Sequence, residues 1–594
     1  MTFKNLSEVW CYYDNKERKQ FDAHDICNAI SSVQDVSERI NCKYELLAFS
    51  FVHSRGEHNK WGTFYGYQLT FERDNTGEEV FFPNITDITP EIIEYWEMRV
   101  DVVINPLLRM RYTGLVWDFK RRITGSEPDY ERIKLANIKA IIDVVEGDYC
   151  RYEFITLEYA DYALKRANGF RNEALKGKVV KAFFEAHKRI LSKDSNSCFC
   201  GLILRSLIGY RDAFAKYEKE IVQDNLDWLD RVEAKALTDG NKTDSYAHTM
   251  EQQVEILCDY YHLIGEHSKI GELIDRLVIV MKCAIQARGG MWGQIMLGRM
   301  QEMYRKYGFD RKANHLYVDI VKLGKQTLNE LSPVEIPLTI PNDKIQKLLD
   351  TSLKGSLEEV LVRYILNFIP IKEIEIKRQN EASKESAFFD AITTLNIDAS
   401  GIAVNRIGCG NNSDEQKLHH RMYQGITISA IYMRMVMQEI IDKKHLTIDS
   451  LMDMFKGCPL VIDDTKPLLE RGLEAYLAGD DIACCHILVP QFESMFRLLI
   501  RLTGGEILRQ SRDPEEGNDY YSLETLLGSP TAKMVLPDDI IEYFKVLFVS
   551  HAGWNIRGLL SHGLFRASSI NHAMSDRVVH AILILSQIRV KDDV

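Results

Sequence analysis

Apolar and polar positions change rhythm along this chain. Up to about Pro83 the apolar residues come in short runs rich in aromatic and β-branched side chains: YELLAFSFV from Tyr44 to Val52, GTFYGYQLTFE, and VFFP after a turn-like DNTGEE. Such runs, bounded by glycine and polar clusters, predict short strands forming a small sheet or hairpin in an N-terminal region, residues 1–88. At TPEIIEYWEMRV the period becomes helical: Thr89 is placed to cap, Pro90 suits the first helical position, and acidic residues occupy the first turn. Amphipathic helices with short connections then follow to Leu331. In IMLGRMQEMYRKYGFDRKANHLYVDIV, Met296, Met300, Met303, Tyr304 and Tyr307 share one face and Gly308 breaks the helix. Ala313, Leu316, Tyr317 and Ile320 restart the period, which makes a helical hairpin. Without a strict repeat of about 34 residues, residues 89–331 read as an irregular α-solenoid rather than a tetratricopeptide array.

The proline-bearing LSPVEIPLTIPND marks a linker into a second helical block, residues 332–465. Its loop NRIGCGNNSDEQ lacks the lysine and hydroxyl residue of a phosphate loop and reads as an ordinary surface loop. His419 and His420 are adjacent, so on a helix they point about 100° apart, and they read as solvent or interface histidines rather than metal ligands. From Lys466 onward, residues 466–594 carry four or five helices with short connections, the pattern of a compact bundle. In DDIACCHILVPQFESMFRLLIRLTGG the aspartates suit a cap, Pro490 is placed to kink the rod, and Gly504 and Gly505 end it. Ile482, Cys485, Val489, Phe492, Phe496 and Leu499 make its apolar face; His486, Glu493, Arg497 and Arg501 make a polar stripe. The predicted fold class is mainly α: an irregular α-solenoid-like body with a small N-terminal β-containing region and a C-terminal helical bundle.

Composition narrows the function classes. At 594 residues several packed units are expected. The twelve cysteines are scattered through mostly apolar segments, with no C-x-x-C repeat and only CFC at Cys198 and Cys200, which argues for reduced, buried thiols and against a zinc site. A net charge of −12 excludes a generic nucleic-acid coat, which needs a positive surface to displace counterions from phosphates. No apolar run approaches a membrane span and the N-terminus has no signal-peptide pattern, so the expected location is the cytoplasm, with no membrane partner. No cofactor and no metal are expected.

One stretch interrupts an apolar run with chemistry. GWNIRGLLSHGLF, Gly553 to Phe565, holds Arg557 and His562 five positions apart. On a regular helix that is about 140° between directions, so either Arg557 sits at a helix entrance, with Asn555 as cap, or a twofold axis brings each residue to the other's copy. A histidine with a pKa near neutrality exchanges a proton with a ribose 2′-hydroxyl or a leaving 5′-oxygen, while a guanidinium holds the phosphate. An arginine followed by a histidine four to six positions later is unspecific by itself, since Arg18 with His24 and Arg566 with His572 also fit that pattern. The bland reading of Glu493 and Arg497 is an exposed helical pair; the sharper one is that they orient Arg557 and His562.

The setting of the motif, with Leu559 and Leu560 between the polar ends and Gly563 behind the histidine, resembles the HEPN superfamily of helical bundles. It is most similar to a mainly bacterial family whose C-terminal domain carries R-N-x-x-x-H-G, here RGLLSHG from Arg557 to Gly563. HILVPQFESMFRLLIRLTG and NPLLRMRYTGLVWDF, Asn105 to Phe119, are similar to further segments of the same proteins. The resemblance implies a HEPN-like bundle and a metal-independent endoribonuclease active as a homodimer through that bundle, leaving a 2′,3′-cyclic phosphate. It further implies a toxin or anti-phage defence effector, with RNA as substrate and a protein trigger or antitoxin as partner. Arg557 and His562 are the implied catalytic pair. Gly558 stands where the family pattern has asparagine, with Asn555 or Ser561 as the substitute. The alternative is a non-catalytic HEPN scaffold that binds a nucleotide or a protein partner. Residues 466–594 hold 13 basic and 17 acidic side chains, net −4, so the bundle offers no broad RNA-binding surface.

Overall fold

The computed structural model describes the chain apart from residues 1, 54–59, 73–78, 194–199, 240–242, 333–339, 378–393, 399, 408–412, 512–514, 516 and 591–594. The fold is mainly α. Most of the DNTGEE turn, the middle of the proline-bearing linker, the centre of the glycine-rich loop and Cys198 lie outside the described residues. Two compact units divide the chain: residues 1–288 with 295–317, and residues 289–294 with 318–594.

In the first unit two antiparallel pairs carry the strand character, Val52–His53 with Tyr65–Gly66 and Leu69–Glu72 with Glu79–Phe82. The strand expected at Tyr44–Val52 is instead the end of a helix, Arg39–Ser50, and only Val52 joins a strand. The physical reason is Glu45, fully buried on that helix beside Ala48 and Phe49, at helical spacing. Its carboxylate accepts from Tyr95 Oη at 2.8 Å and Tyr112 Oη at 2.5 Å and meets Arg99 Nε at 3.0 Å. A short apolar run does not by itself tell a strand from a buried helix, and a paired carboxylate on the inner face removes the polar marker that would have done so.

Helices then follow as expected. Pro90–Val102 starts with Thr89 at the N-cap, and Asn105 caps Pro106–Thr124 through Oδ1 to the Leu107 N–H at 3.0 Å. Arg111 of the latter is buried and donates to the carbonyls of Ala48 and Phe51 at 2.8 and 2.6 Å. Gly290–Lys306 and Asp310–Glu330 are the two expected helices, separated at Gly308 with φ +81°. Of the residues assigned to their apolar faces, Tyr317 alone is exposed, and its hydroxyl accepts from Arg305 at 3.1 Å. No disulfide joins the described cysteines; Cys258, Cys484 and Cys485 are buried as expected, whereas Cys283 is exposed.

In the second unit, a hairpin of β1 (Thr394–Ile397) and β2 (Ala403–Ile407) precedes α1 (Ser413–Lys444). Then come α2 (Lys466–Leu477), α3 (Asp481–Leu502), a second hairpin of β3 (Leu508–Gln510) and β4 (Asn518–Tyr520), α4 (Asp538–Phe548), α5 (Ile556–Ser561) and α6 (His572–Leu585). One apolar core runs from Val360 to Leu585, so the bundle also takes in α1 and Leu357–Asn367. Asp480 caps α3 through Oδ1 to the Ala483 N–H at 2.9 Å, and the helix continues through Pro490. Its expected apolar face is buried except Ile482, which is exposed. Among the described residues α3 is the one helix long and apolar enough to cross a membrane by length and composition.

Candidate functional site

The six residues of α5 carry the motif, and their two ends explain it. Asn555 stands at the N-cap position but at φ +47°, ψ +40°, and its side chain makes no cap bond, contrary to the expected cap. A capping side chain needs an extended backbone. In the left-handed region, which asparagine tolerates better than most residues, the amide reaches His551 instead, Nδ2 to Nδ1 at 3.4 Å. At the other end His562 is the C-cap, and Gly563 takes φ +65°. The Gly563 N–H donates to Leu560 O at 3.1 Å and the Leu564 N–H to Leu559 O at 2.9 Å, a Schellman closure that needs glycine at the left-handed position. The glycine after the histidine therefore fixes where the imidazole leaves the helix.

Because His562 has already left helical geometry, with φ −96° and ψ 3°, the 140° expected on an ideal helix does not apply. Arg557, second residue of α5, and His562 line one open cleft of about 940 Å³ within a single chain. This is the helix-entrance arrangement. Arg557 is held from α3: its Nε donates to Glu493 Oε2 at 2.9 Å, while Glu493 Oε1 accepts from Arg497 Nη2 at 2.8 Å. Arg497 is fixed in turn by the Tyr521 carbonyl at 2.8 Å and by the Tyr520 ring, 5.0 Å from guanidinium carbon to centroid. The Glu493 and Arg497 pair is thus bridged to Arg557 rather than free in solvent. The terminal nitrogens of Arg557 have no protein partner among the described residues, and the side chain is 32% exposed, so an anion in the cleft reaches them. His562 is exposed and receives no hydrogen bond from the α3 stripe; His486 and Arg501 are exposed, and His486 bonds the Ile482 carbonyl at 2.9 Å. Ser561 is exposed and does not line the cleft, whereas Asn555 does.

Three features of the cleft were not singled out in the sequence. The β1–β2 hairpin forms one wall through Asn396, Asp398 and Val404. Gln294 anchors it, accepting from the Ala403 N–H at 2.8 Å and donating to Gly401 O at 2.6 Å. The second feature is another imidazole, His551, in the α4–α5 turn. Arg566 is the third, a second cation on the bundle side. The histidine and asparagine of VSHAGWN were legible as polar residues at a helix end; their convergence with a hairpin about 150 residues earlier was not.

His419 is the clearest departure from expectation: it is buried, not a solvent histidine. Its Nε2 donates to Glu542 Oε2 at 2.8 Å, and its Nδ1 accepts from Ser550 Oγ at 2.9 Å. Glu542, Glu415 and His419 bring ligand atoms within 4.8 Å of one another, the spacing of a metal site. Lys545 Nζ lies 3.1 Å from Glu542 and 3.4 Å from Glu415, so an ammonium already supplies the positive charge there and the group is an ion-pair network. Burial would raise the Glu542 pKa, but the His419 hydrogen bond and the Lys545 ammonium outweigh it and hold the carboxyl down at about 2. His420 is half-buried, bonded to Gln424 at 3.2 Å, and its pKa is lowered by burial and by Arg421.

No family model matches the chain, and none of the curated proteins matches it by sequence.

Proposed function

We propose that the protein is a metal-independent endoribonuclease of HEPN type, acting in the cytoplasm as a defence effector or toxin. The observation that supports this reading is the shared cleft of Arg557 and His562, with the guanidinium anchored at one edge by Glu493 and open at the other. A guanidinium so held offers paired donors to a phosphodiester and stabilises the charge that develops on it. An imidazole beside it exchanges protons with the ribose and the leaving oxygen. The reaction uses the 2′-hydroxyl, so RNA is cut and DNA is not. A second copy meeting the first through the bundle, and a protein trigger or antitoxin as regulator, belong to the same proposal.

Purified protein incubated with total RNA in the presence of a chelator is expected to yield fragments with 2′,3′-cyclic phosphates. Arg557→Ala and His562→Ala are each expected to lower the rate by ~10²- to 10⁴-fold with the fold retained. Cleavage that both substitutions leave intact would remove these residues from the chemistry.

A further inference from the structure

The cleft contains a second imidazole that the RGLLSHG motif does not include. We infer that His551 is the acid–base partner of His562, so that one chain supplies both proton-transfer groups; this rests on the endoribonuclease reading above.

The backbone around His551 is held from several sides while its ring is left exposed. Ser550 Oγ donates to buried His419 at 2.9 Å and accepts the Ala552 N–H at 3.2 Å, which ties the turn to the Glu542 network. Asn396 of the β1–β2 hairpin donates through Nδ2 to the His551 carbonyl at 2.8 Å. A Cβ at Gly553 would stand 2.1 Å from the Val546 carbonyl, so the turn closes as tightly as a glycine backbone allows. Trp554 Nε1 donates to Thr427 at 3.0 Å. So firm a support for an exposed side chain is what a reacting group requires and an incidental surface histidine does not.

Asn555 supplies the other half of the argument. At its positive φ the amide meets His551 Nδ1, and Nε2 has no hydrogen bond among the described residues. An amide serves either protonation state of the ring, donating through Nδ2 to a bare Nδ1 or, rotated, accepting through Oδ1 from Nδ1–H. The amide also fills the space above Gly558: a Cβ there would stand 2.3 Å from Asn555 Oδ1. The loss of a side chain at 558 is thus matched by a carboxamide arriving from three residues earlier.

The chemistry balances without an outside reactant. One imidazole takes the 2′-hydroxyl proton as that oxygen bonds to phosphorus; the bond from phosphorus to the 5′-oxygen breaks; the other imidazole, protonated, gives its proton to that oxygen. The products are a 2′,3′-cyclic phosphate and a 5′-hydroxyl. Besides the two histidines, the charged groups lining the cleft are Arg557, Arg566, Glu524 and Asp398.

Cleavage of a short single-stranded RNA is measured from pH 5 to 9 for the full-length wild type, His551→Gln, His562→Gln and Asn555→Asp, with circular dichroism as the control for folding. The wild type is expected to give a bell-shaped profile. His551→Gln should lose ~10²-fold or more and keep only one limb, and the missing limb tells whether His551 is the base or the acid. Asn555→Asp places a carboxylate against the ring and should move the His551 limb to higher pH by about one unit. Wild type and His551→Gln cutting within threefold of each other, with His562→Gln inactive, would overturn the role of His551 alone. A wild type that produces no cyclic phosphate overturns the nuclease reading and this inference with it.

Discussion

At the scale of single residues, the informative position is Gly558. The space a side chain would take there is filled by the Asn555 amide. Gly558→Ala puts a Cβ into that amide, and Gly558→Asn does so with more bulk. In a helix interior alanine is favoured over glycine by about 1 kcal/mol, which offsets the cost of moving the Asn555 amide, so the melting temperature of Gly558→Ala should change little. Cleavage should fall about tenfold, because the displaced amide no longer faces His551. Thermal melts read beside the cleavage rate test this; a Gly558→Asn chain faster than wild type would instead favour a decayed site restored by its motif residue.

At the scale of the element, α5 is too short to be stable alone and depends on its closures. Gly563 at φ +65° is the C-terminal one. Gly563→Ala forces a Cβ into the left-handed region at a cost of about 1 to 2 kcal/mol and loosens the last turn where His562 sits. The expected result is a modest fall in melting temperature with a larger fall in turnover than in RNA affinity, since Arg557 keeps its anchor on Glu493. Equal loss of turnover and affinity would show that the two ends of α5 are not independent.

For the whole molecule, the protonation of buried groups sets the acid limit. His580 is fully buried, with Nε2 donating to Ile365 O at 2.9 Å and Nδ1 accepting from Tyr543 Oη at 3.1 Å, an arrangement that suits the neutral ring. Burial and the neighbouring Arg577 push its pKa down to about 3. The unfolded chain takes up this proton below about pH 6.5 and the folded one does not until about 3, so the stability present above 6.5 is lost across that window, on the order of 5 kcal/mol. Glu542, held at about 2, adds a further loss as pH falls from about 4.5 toward 2. In the first unit His53 is likewise pushed down to about 3 by burial and Arg111. Calorimetry between pH 8 and 4 should show the second unit's transition moving down fastest. His580→Gln, which carries no titrating ring, should flatten that dependence; an unchanged slope would assign the acid sensitivity elsewhere.

Much of the architecture follows from local rules. Helical periodicity, the Asn105 and Asp480 caps and the break at Gly308 depend on neighbours within a turn or two, so the chain order alone specifies them. Arg557 and His562 stood out for the same reason, as polar ends of a short apolar stretch. Tertiary structure decided what those signals left open. Glu45 sits on the inner face of a helix in an apparent strand because two tyrosine hydroxyls and Arg99 satisfy its carboxylate, and His419 is a core residue because Glu542 and Ser550 meet it across more than 120 positions. The cleft itself joins a hairpin near residue 400 to a turn near 550. Pairings at such separation depend on which surfaces the folded chain brings together, and no periodicity within a single segment encodes them.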